Sequence, residues 1–156
     1  MPILNSRVSL LLVAPLVTLT FLGAGCGAPS TAIDTETNTI TTQNDNGSSF
    51  SAGEGAQIPA NFPSDFPEYP GGKTILAYIE NGGASGSLVQ EVSDSLSEVQ
   101  TKIEQEMQTQ GFTKDNVLTD PNVVILTFNK GSIRYQINIV RDAGKTRIQS
   151  VRVEQQ

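Results

Sequence analysis

Carboxylates are the main side chains in this sequence from which an active site could be built. The chain holds 16 Asp and Glu residues but no His, and Cys26 is its single cysteine. These counts exclude a Ser-His-Asp triad, a Cys-His pair and a zinc site made of His or several thiolates. They also exclude an intramolecular disulfide, so a packed core must supply the stability of the fold.

The spacing of the carboxylates does not predict a catalytic acid and base. Three pairs are candidates: Asp65 with Glu68, Glu80 with Glu91, and Glu104 with Glu106. Glu80 and Glu91 flank a predicted hairpin and could face each other. None of the six lies in an apolar segment that would raise a carboxyl pKa for acid catalysis. No Asp-rich calcium-loop spacing occurs either, so we expect no enzyme activity, no cofactor and no metal site.

Basic side chains near the C terminus form a second candidate site. From residue 130 onward there are six bases and two acids, although the whole chain is acidic, with a pI near 4.5. The acidic balance argues against nucleic-acid binding. The predicted partner-binding residues share one outward strand face: Arg134, Gln136, Asn138, Arg147 and Gln149. Such a face can bind an anionic component, a sugar chain or lipid head groups through forked hydrogen bonds, but charged strands also serve to deter aggregation.

The elements that position these residues follow from the pattern after residue 58. The segments "KTILAYIE" and "SLVQEV" predict a hairpin. A capping box of Ser95 and Glu98 then begins a helix, which Gly111 ends. The apolar stripe of this helix is Leu96, Val99, Ile103 and Met107. A weak strand at 112–119, then "VVILTF", "IRYQINIVR" and "TRIQSVRV", predict an antiparallel meander, and the parity change in the last of these indicates a bulge or an edge strand.

These elements predict an α+β fold class. We expect a two-layer sandwich, in which one helix packs on an antiparallel sheet of about five or six strands. Three aromatic-proline pairs between residues 62 and 70 indicate an extended arm whose rings cap the edge of the core. The alternative for this arm is an aromatic strip that binds a sugar or a peptide.

The first 57 residues differ from the rest of the chain. Residues 8–22 form an apolar run after Arg7, too short for a permanent membrane span and typical of a secretory signal peptide. Residues 27–57 are polar and small, a composition that predicts a disordered tether.

The small residues directly before the lone cysteine, in "LGAGC", resemble the lipobox of bacterial lipoproteins. In that family the cysteine thiol carries a diacylglycerol and the signal peptidase cuts just before it. Gly23 stands where the motif usually has a large aliphatic residue, and Leu22 lies one place further back. The resemblance implies a signal peptide at 1–25, a lipidated Cys26 with its tether at 26–57, and a domain at 58–156. It places the protein on the extracytoplasmic side of a membrane, in the periplasm or at the cell surface.

The domain is also similar to a small extracytoplasmic domain of unassigned role found in many bacterial lipoproteins. The segments that carry this resemblance are "DFPEYPGGK", the "GF" that closes the helix, and "LTFNKG". They are turns and core positions, so no catalytic residue is implied. We therefore expect a lipid-anchored, non-catalytic binding or support protein of the cell envelope, with an anionic envelope component or a protein as partner. The alternative is an envelope hydrolase that uses carboxylates, or an inhibitor of an envelope enzyme.

Overall fold

One antiparallel sheet of nine strands runs through the computed structural model, which describes residues 29–155. The predicted signal peptide and Cys26 lie outside the described residues. The strands are β1 (Ser30–Asp34), β2 (Thr39–Gln43), β3 (Ser49–Gly53), β4 (Lys73–Glu80), β5 (Ser85–Val92), β6 (Thr113–Asp120), β7 (Val123–Lys130), β8 (Ile133–Asp142) and β9 (Lys145–Glu154). The helix α1 (Leu96–Thr109) lies between β5 and β6. The strand order is β1-β2-β3-β4-β5-β9-β8-β7-β6, so the last strand returns to pair with β5 in the middle of the sheet.

The predicted fold class is wrong. The sheet has nine strands and more than half of the described residues, which is not a five- or six-stranded α+β sandwich. The three additional strands, β1 to β3, come from the segment predicted to be a disordered tether. That prediction was based on a shortage of apolar residues. These strands instead add to the edge of β4 by backbone pairing, which does not require large side chains.

Small polar side chains fill the inner face of this added part of the sheet. Thr39, Ser49 and Ser51 are buried there. The Ser51 Oγ accepts a hydrogen bond from the backbone N–H of Gln57 at 3.1 Å, and Thr39 Oγ1 accepts one from Gly55 at 3.0 Å. Residues 54–61 therefore cover β2 and β3 through hydrogen bonds, where aliphatic side chains would give a stronger sequence signal.

The helix agrees with its sequence signals at both ends. Ser95 and Glu98 form the reciprocal capping box, and Val99, Ile103 and Met107 are buried. Gly111 has a φ of 83°, and the N–H of Phe112 bonds to the Met107 carbonyl at 2.9 Å, as in a Schellman motif. The helix packs on the inner faces of β6, β7 and β8. No helix within residues 29–155 is long and apolar enough to cross a bilayer.

The aromatic-proline arm covers the rest of the inner face. Phe66 and Tyr69 are buried in the same core cluster as the helix stripe. The ring of Phe66 meets Tyr135 of β8 edge to face, with centroids 5.2 Å apart. The buried Gln90 side chain accepts a hydrogen bond from the Tyr69 N–H at 2.8 Å. The interpretation of the arm as a cap on the core is thereby confirmed for these two rings.

The last strand was predicted to be bulged or at an edge, and this is wrong. β9 lies between β5 and β8 and pairs with both without a register break. Its apolar residues change parity because Ser150 and Arg152 point inward and are buried, whereas Val151 and Val153 lie on the outer face. The bulges occur in β4 and β6 instead.

Candidate functional site

The outer face of the sheet carries no described helix. The helix and the arm both lie on the inner face, and within residues 29–155 no segment packs on the other side. One continuous row of registered residues crosses this outer face, and we call it the outer-face row. From β1 to β6 it consists of Ile33, Ile40, Ala52, Leu76, Val89, Gln149, Asn138, Ile125 and Leu118. Eight inter-strand gaps make its length roughly 38 Å.

The row is apolar at both ends and polar near its centre. Ile33 at one end is 69% exposed, and Leu118 at the other end is 62% exposed. Among the described residues, five of the six exposed large apolar side chains lie on this face: Ile33, Ile40, Leu118, Val140 and Val153. Ile33 and Ile40 are adjacent in register, whereas Leu118, Val140 and Val153 lie in separate parts of the face, so the number of these side chains and not one contiguous patch marks the face as a candidate interaction surface.

The structure brings the predicted amide residues together. Gln136, Asn138 and Gln149 all lie on the outer face, where Asn138 is the direct register partner of Gln149. The Gln136 Nε2 donates to the Asn138 Oδ1 at 3.2 Å. These three side chains form a neutral polar centre with free donors and acceptors toward solvent.

The two predicted arginines lie on the same face but far apart. Arg134 pairs in register with Val153, and Arg147 pairs with Val140. Positions 134 and 140 of β8 are six residue steps apart, which separates the backbone positions of the two arginines by roughly 20 Å along the strand. They therefore bracket the amide centre and do not form one anion-binding cluster.

Most of the C-terminal bases are already engaged within the fold. Arg141 donates to the Asp94 carbonyl and to Thr146 Oγ1, both at 2.7 Å. Lys145 donates to the carboxylate of Glu91, which also lies 3.9 Å from Arg147, and the Lys145 hydrogen bond lowers the pKa of Glu91. Lys130 bonds to the Gln110 carbonyl at 2.8 Å, and Arg152 is buried.

Charge on the outer face is balanced. Alternation along the strands places four bases and four acids there: Lys73, Arg134, Lys145, Arg147, Glu80, Glu91, Asp120 and Asp142. Within residues 29–155, Arg134 has no carboxylate within 4 Å. One unpaired guanidinium is not a basic patch, so the geometry does not favour a polyanion as the partner.

A buried polar cluster, absent from the sequence predictions, holds the arm on the sheet. The hydroxyl of Tyr135 donates to Asp65 Oδ1 at 3.2 Å, and Arg152 Nε lies 3.7 Å from the same oxygen. The Arg152 guanidinium also donates to the Gly83 carbonyl. Burial, followed by the charge of Asp65, raises the pKa of Tyr135. The parity change of β9 was the sequence signal for this cluster, because it places an arginine in the inward series.

A second polar cluster fixes the junction of β5 and α1. Asp94 Oδ2 accepts from the Tyr69 hydroxyl at 2.5 Å and from Lys102 Nζ at 2.8 Å. The hydrogen bond from Lys102, and then that from Tyr69, lower the pKa of Asp94. Lys102 also lies 4.9 Å from the centroid of the Tyr69 ring. Every group in this cluster has a partner inside the fold, so we interpret it as a structural clamp between arm and helix.

The carboxylate pairs considered as catalytic candidates do not converge. Glu80 pairs with Ser85 and Glu91 with Lys73, so these two acids lie at opposite ends of the β4–β5 hairpin. Glu104 accepts from Lys114 at 2.7 Å, and Asp65 belongs to the buried cluster of the arm. In the described part of the chain, no group of three His, Cys, Asp or Glu residues could hold a metal ion.

Comparison of the chain with protein-family models, with curated proteins and with solved structures finds no match.

Proposed function

We propose that this protein is a lipid-anchored, non-catalytic binding or support protein of the bacterial cell envelope, and that it contacts its partner with the outer face of the sheet. The single observation that carries the proposal is the bare outer face with its apolar-ended row. A sheet with one covered face usually exposes polar residues on the other. Here the exposed face instead holds most of the exposed large apolar side chains of the described residues.

The size and polarity of this face fit a protein surface. The whole face is a strip of roughly 38 Å by 20 Å, and the part from β4 to β6 alone, roughly 24 Å long, offers about 480 Å² to a partner, the size of a small transient interface. Mixed polarity is also normal for such interfaces. The balanced charges of the face argue for a protein rather than for the anionic component that the C-terminal bases predicted.

The alternative of a carboxylate hydrolase has less support. A hydrolase of that kind needs two carboxyl groups that flank one bond, within about 10 Å of each other in a cleft. Glu80 and Glu91 lie at opposite ends of their hairpin, and Glu104 forms an ion pair with Lys114. An inhibitor of an envelope enzyme would use the same outer face and is a special case of the proposed binding function.

Position-specific crosslinking tests the binding surface. A photoreactive residue is placed at Asn138 or Gln149 on the outer face, and at Thr101 on the exposed side of α1 as the control. We expect the same protein of one defined mass to be captured at both outer positions and not at 101. Asn138→Lys in the Gln149 probe should abolish that product, whereas Thr101→Lys should not. Identical products at all three positions would overturn the proposed surface.

The anchor is tested separately. Cys26→Ser removes the only thiol of the chain, so the variant should leave the membrane fraction or accumulate as an uncleaved precursor. The intact mass of the mature wild-type protein should include a diacylglycerol. A mature protein that keeps a free thiol at Cys26 would contradict lipid anchoring.

A further inference from the structure

The first strand begins very close in sequence to the proposed lipid anchor. β1 starts at Ser30, four residues after Cys26. Four residues of chain span at most about 14 Å when fully extended. A disordered tether through residue 57 would instead have allowed a reach of about 100 Å. Covalent geometry therefore confines the β1 edge of the sheet to the immediate neighbourhood of any lipid on Cys26.

An exposed apolar pair lies on this edge. Ile33 of β1 is the register partner of Ile40 of β2, and the two side chains are 69% and 45% exposed. Both belong to the outer face, as does Ala52, the next residue of the row. All five residues of β1 are exposed. The corner formed by β1 and β2, which we call the anchor corner, thus offers apolar side chains where the chain is held to the lipid.

Charge does not explain attraction of this corner to a membrane. Residues 29–72 contain six acids and no base: Asp34, Glu36, Asp45, Glu54, Asp65 and Glu68. Attraction to anionic lipid needs Lys or Arg near the surface. Contact between the anchor corner and a bilayer must therefore come from apolar burial, and anionic lipid must weaken it.

We infer that the anchor corner rests on the bilayer, with Ile33 and Ile40 in the head-group region as a second membrane contact beside the lipid on Cys26. The inference rests on the proposed function, because it requires Cys26 to be lipidated. Apolar side chains on an amphipathic surface enter the boundary of head groups and acyl chains by about 5–10 Å. The row then leads away from the membrane toward β6.

Spin labels measure this contact directly. Ile33→Cys and the matched control Leu118→Cys each place one label on the outer face, at opposite ends of the same row. Both sites are exposed, so neither substitution disturbs the core. The lipidated full chain is reconstituted in phosphatidylcholine vesicles, and the accessibility of each label to oxygen and to a water-soluble nickel chelate is compared.

We expect the label at position 33 to show the high oxygen-to-nickel ratio of the membrane interface and the label at 118 to show the ratio of water. Replacing part of the phosphatidylcholine by phosphatidylglycerol should lower the ratio at 33. Aqueous ratios at both positions would overturn the inference, and so would equal immersion of both, since the whole face would then lie on the membrane.

The same preparation distinguishes two failures: absence of the lipid on Cys26, and absence of docking, by which we mean the contact of the anchor corner with the bilayer. Wild-type protein carries no cysteine except Cys26, so it should take up no label when that thiol is lipidated. Uptake of label by the wild type would overturn the anchor and the docking together. Absence of uptake with an aqueous label at position 33 would overturn the docking alone.

Discussion

Removal of the Asp65 carboxylate tests whether the buried cluster holds the arm on the sheet. Asp65→Ala leaves the Tyr135 hydroxyl, a donor on a fully buried residue, without its acceptor. An unsatisfied buried donor costs about 1–3 kcal/mol. The same change removes the nearest carboxylate from Arg152, which is 7% exposed. Breaking a fully buried ion pair costs about 3–5 kcal/mol. Here the Asp65 side chain is 26% exposed and its Oδ1 lies 3.7 Å from the Arg152 Nε, so we expect about 1 kcal/mol from the loss of this ion pair.

The expected loss of unfolding free energy is therefore about 2–4 kcal/mol. Urea unfolding followed by far-ultraviolet circular dichroism measures it, since the chain has no Trp for fluorescence. Glu68→Ala is the matched control, because it deletes an exposed carboxylate three residues along the same arm and should cost about 0.5 kcal/mol or less. In a double-mutant cycle, Tyr135→Phe should show a coupling of about 1 kcal/mol with Asp65→Ala. Equal effects of Asp65→Ala and Glu68→Ala would refute the account of the cluster.

Three further predictions address other parts of the fold. Gly53 has a φ of 128°, and a Cβ there would lie 2.0 Å from the Asn38 carbonyl oxygen. Gly53→Ala should therefore lower the urea midpoint of unfolding and the amide-exchange protection of β2 and β3. If neither quantity changed, β2 and β3 would not be part of the sheet. Hydrogen bonds from Lys102 and Tyr69 hold the pKa of Asp94 below its ordinary value of 3.8. The ionised carboxylate of Asp94 therefore stabilises the fold above pH 3.8, and this contribution is lost as the pH falls through the folded pKa. The unfolding free energy measured between about pH 5 and pH 2 should consequently fall less steeply in Asp94→Asn than in the wild type. Ile103 is 2% exposed, so Ile103→Ala should lower the unfolding free energy by about 2–5 kcal/mol. Thr101→Ala removes only an exposed hydroxyl bonded to the Ser97 carbonyl and should lower it by less than about 0.5 kcal/mol. Similar losses in the two variants would mean that the buried face of α1 is misassigned.

Local signals in the sequence were sufficient where side-chain period and capping chemistry act together. The helix from Leu96 has a capping box, one apolar stripe and a glycine end, and all three were found in place. β8 alternates cleanly, so its inward and outward residues were correctly predicted, including the outward position of Asn138. These features depend on residues close together in sequence.

The remainder depended on pairing between distant segments, which composition does not record. β1 to β3 contain mostly Thr, Ser and small residues, and they are ordered by backbone bonds to a neighbouring strand and by the turn at residues 53–56. A rule that relates order to apolar content cannot detect strands of this kind. The prediction of the candidate site was limited for the same reason, because it depends on how distant strands pair. The five predicted residues do share a face. The separation of Arg134 from Arg147, and the apolar ends of the outer-face row, become visible only when all nine strands are in register.

The proposed lipid anchor and the charge distribution would act in opposite directions on the orientation of the sheet. In the proposed orientation, a lipid on Cys26 and the apolar pair Ile33 and Ile40 would hold the acidic end, residues 29–72, against the bilayer. Repulsion from anionic head groups pushes that end away but decays over about 8 Å at physiological ionic strength. Gln149 and Asn138 lie five and six strands from β1, so a sheet that stands on the anchor corner places them roughly 24–29 Å from the membrane. At that distance the surface charge of the membrane no longer acts on the amide centre. A partner that contacts both the centre and the far apolar end at Leu118 must therefore itself extend about 25–40 Å from the bilayer, which fits another protein of the same envelope surface better than lipid head groups.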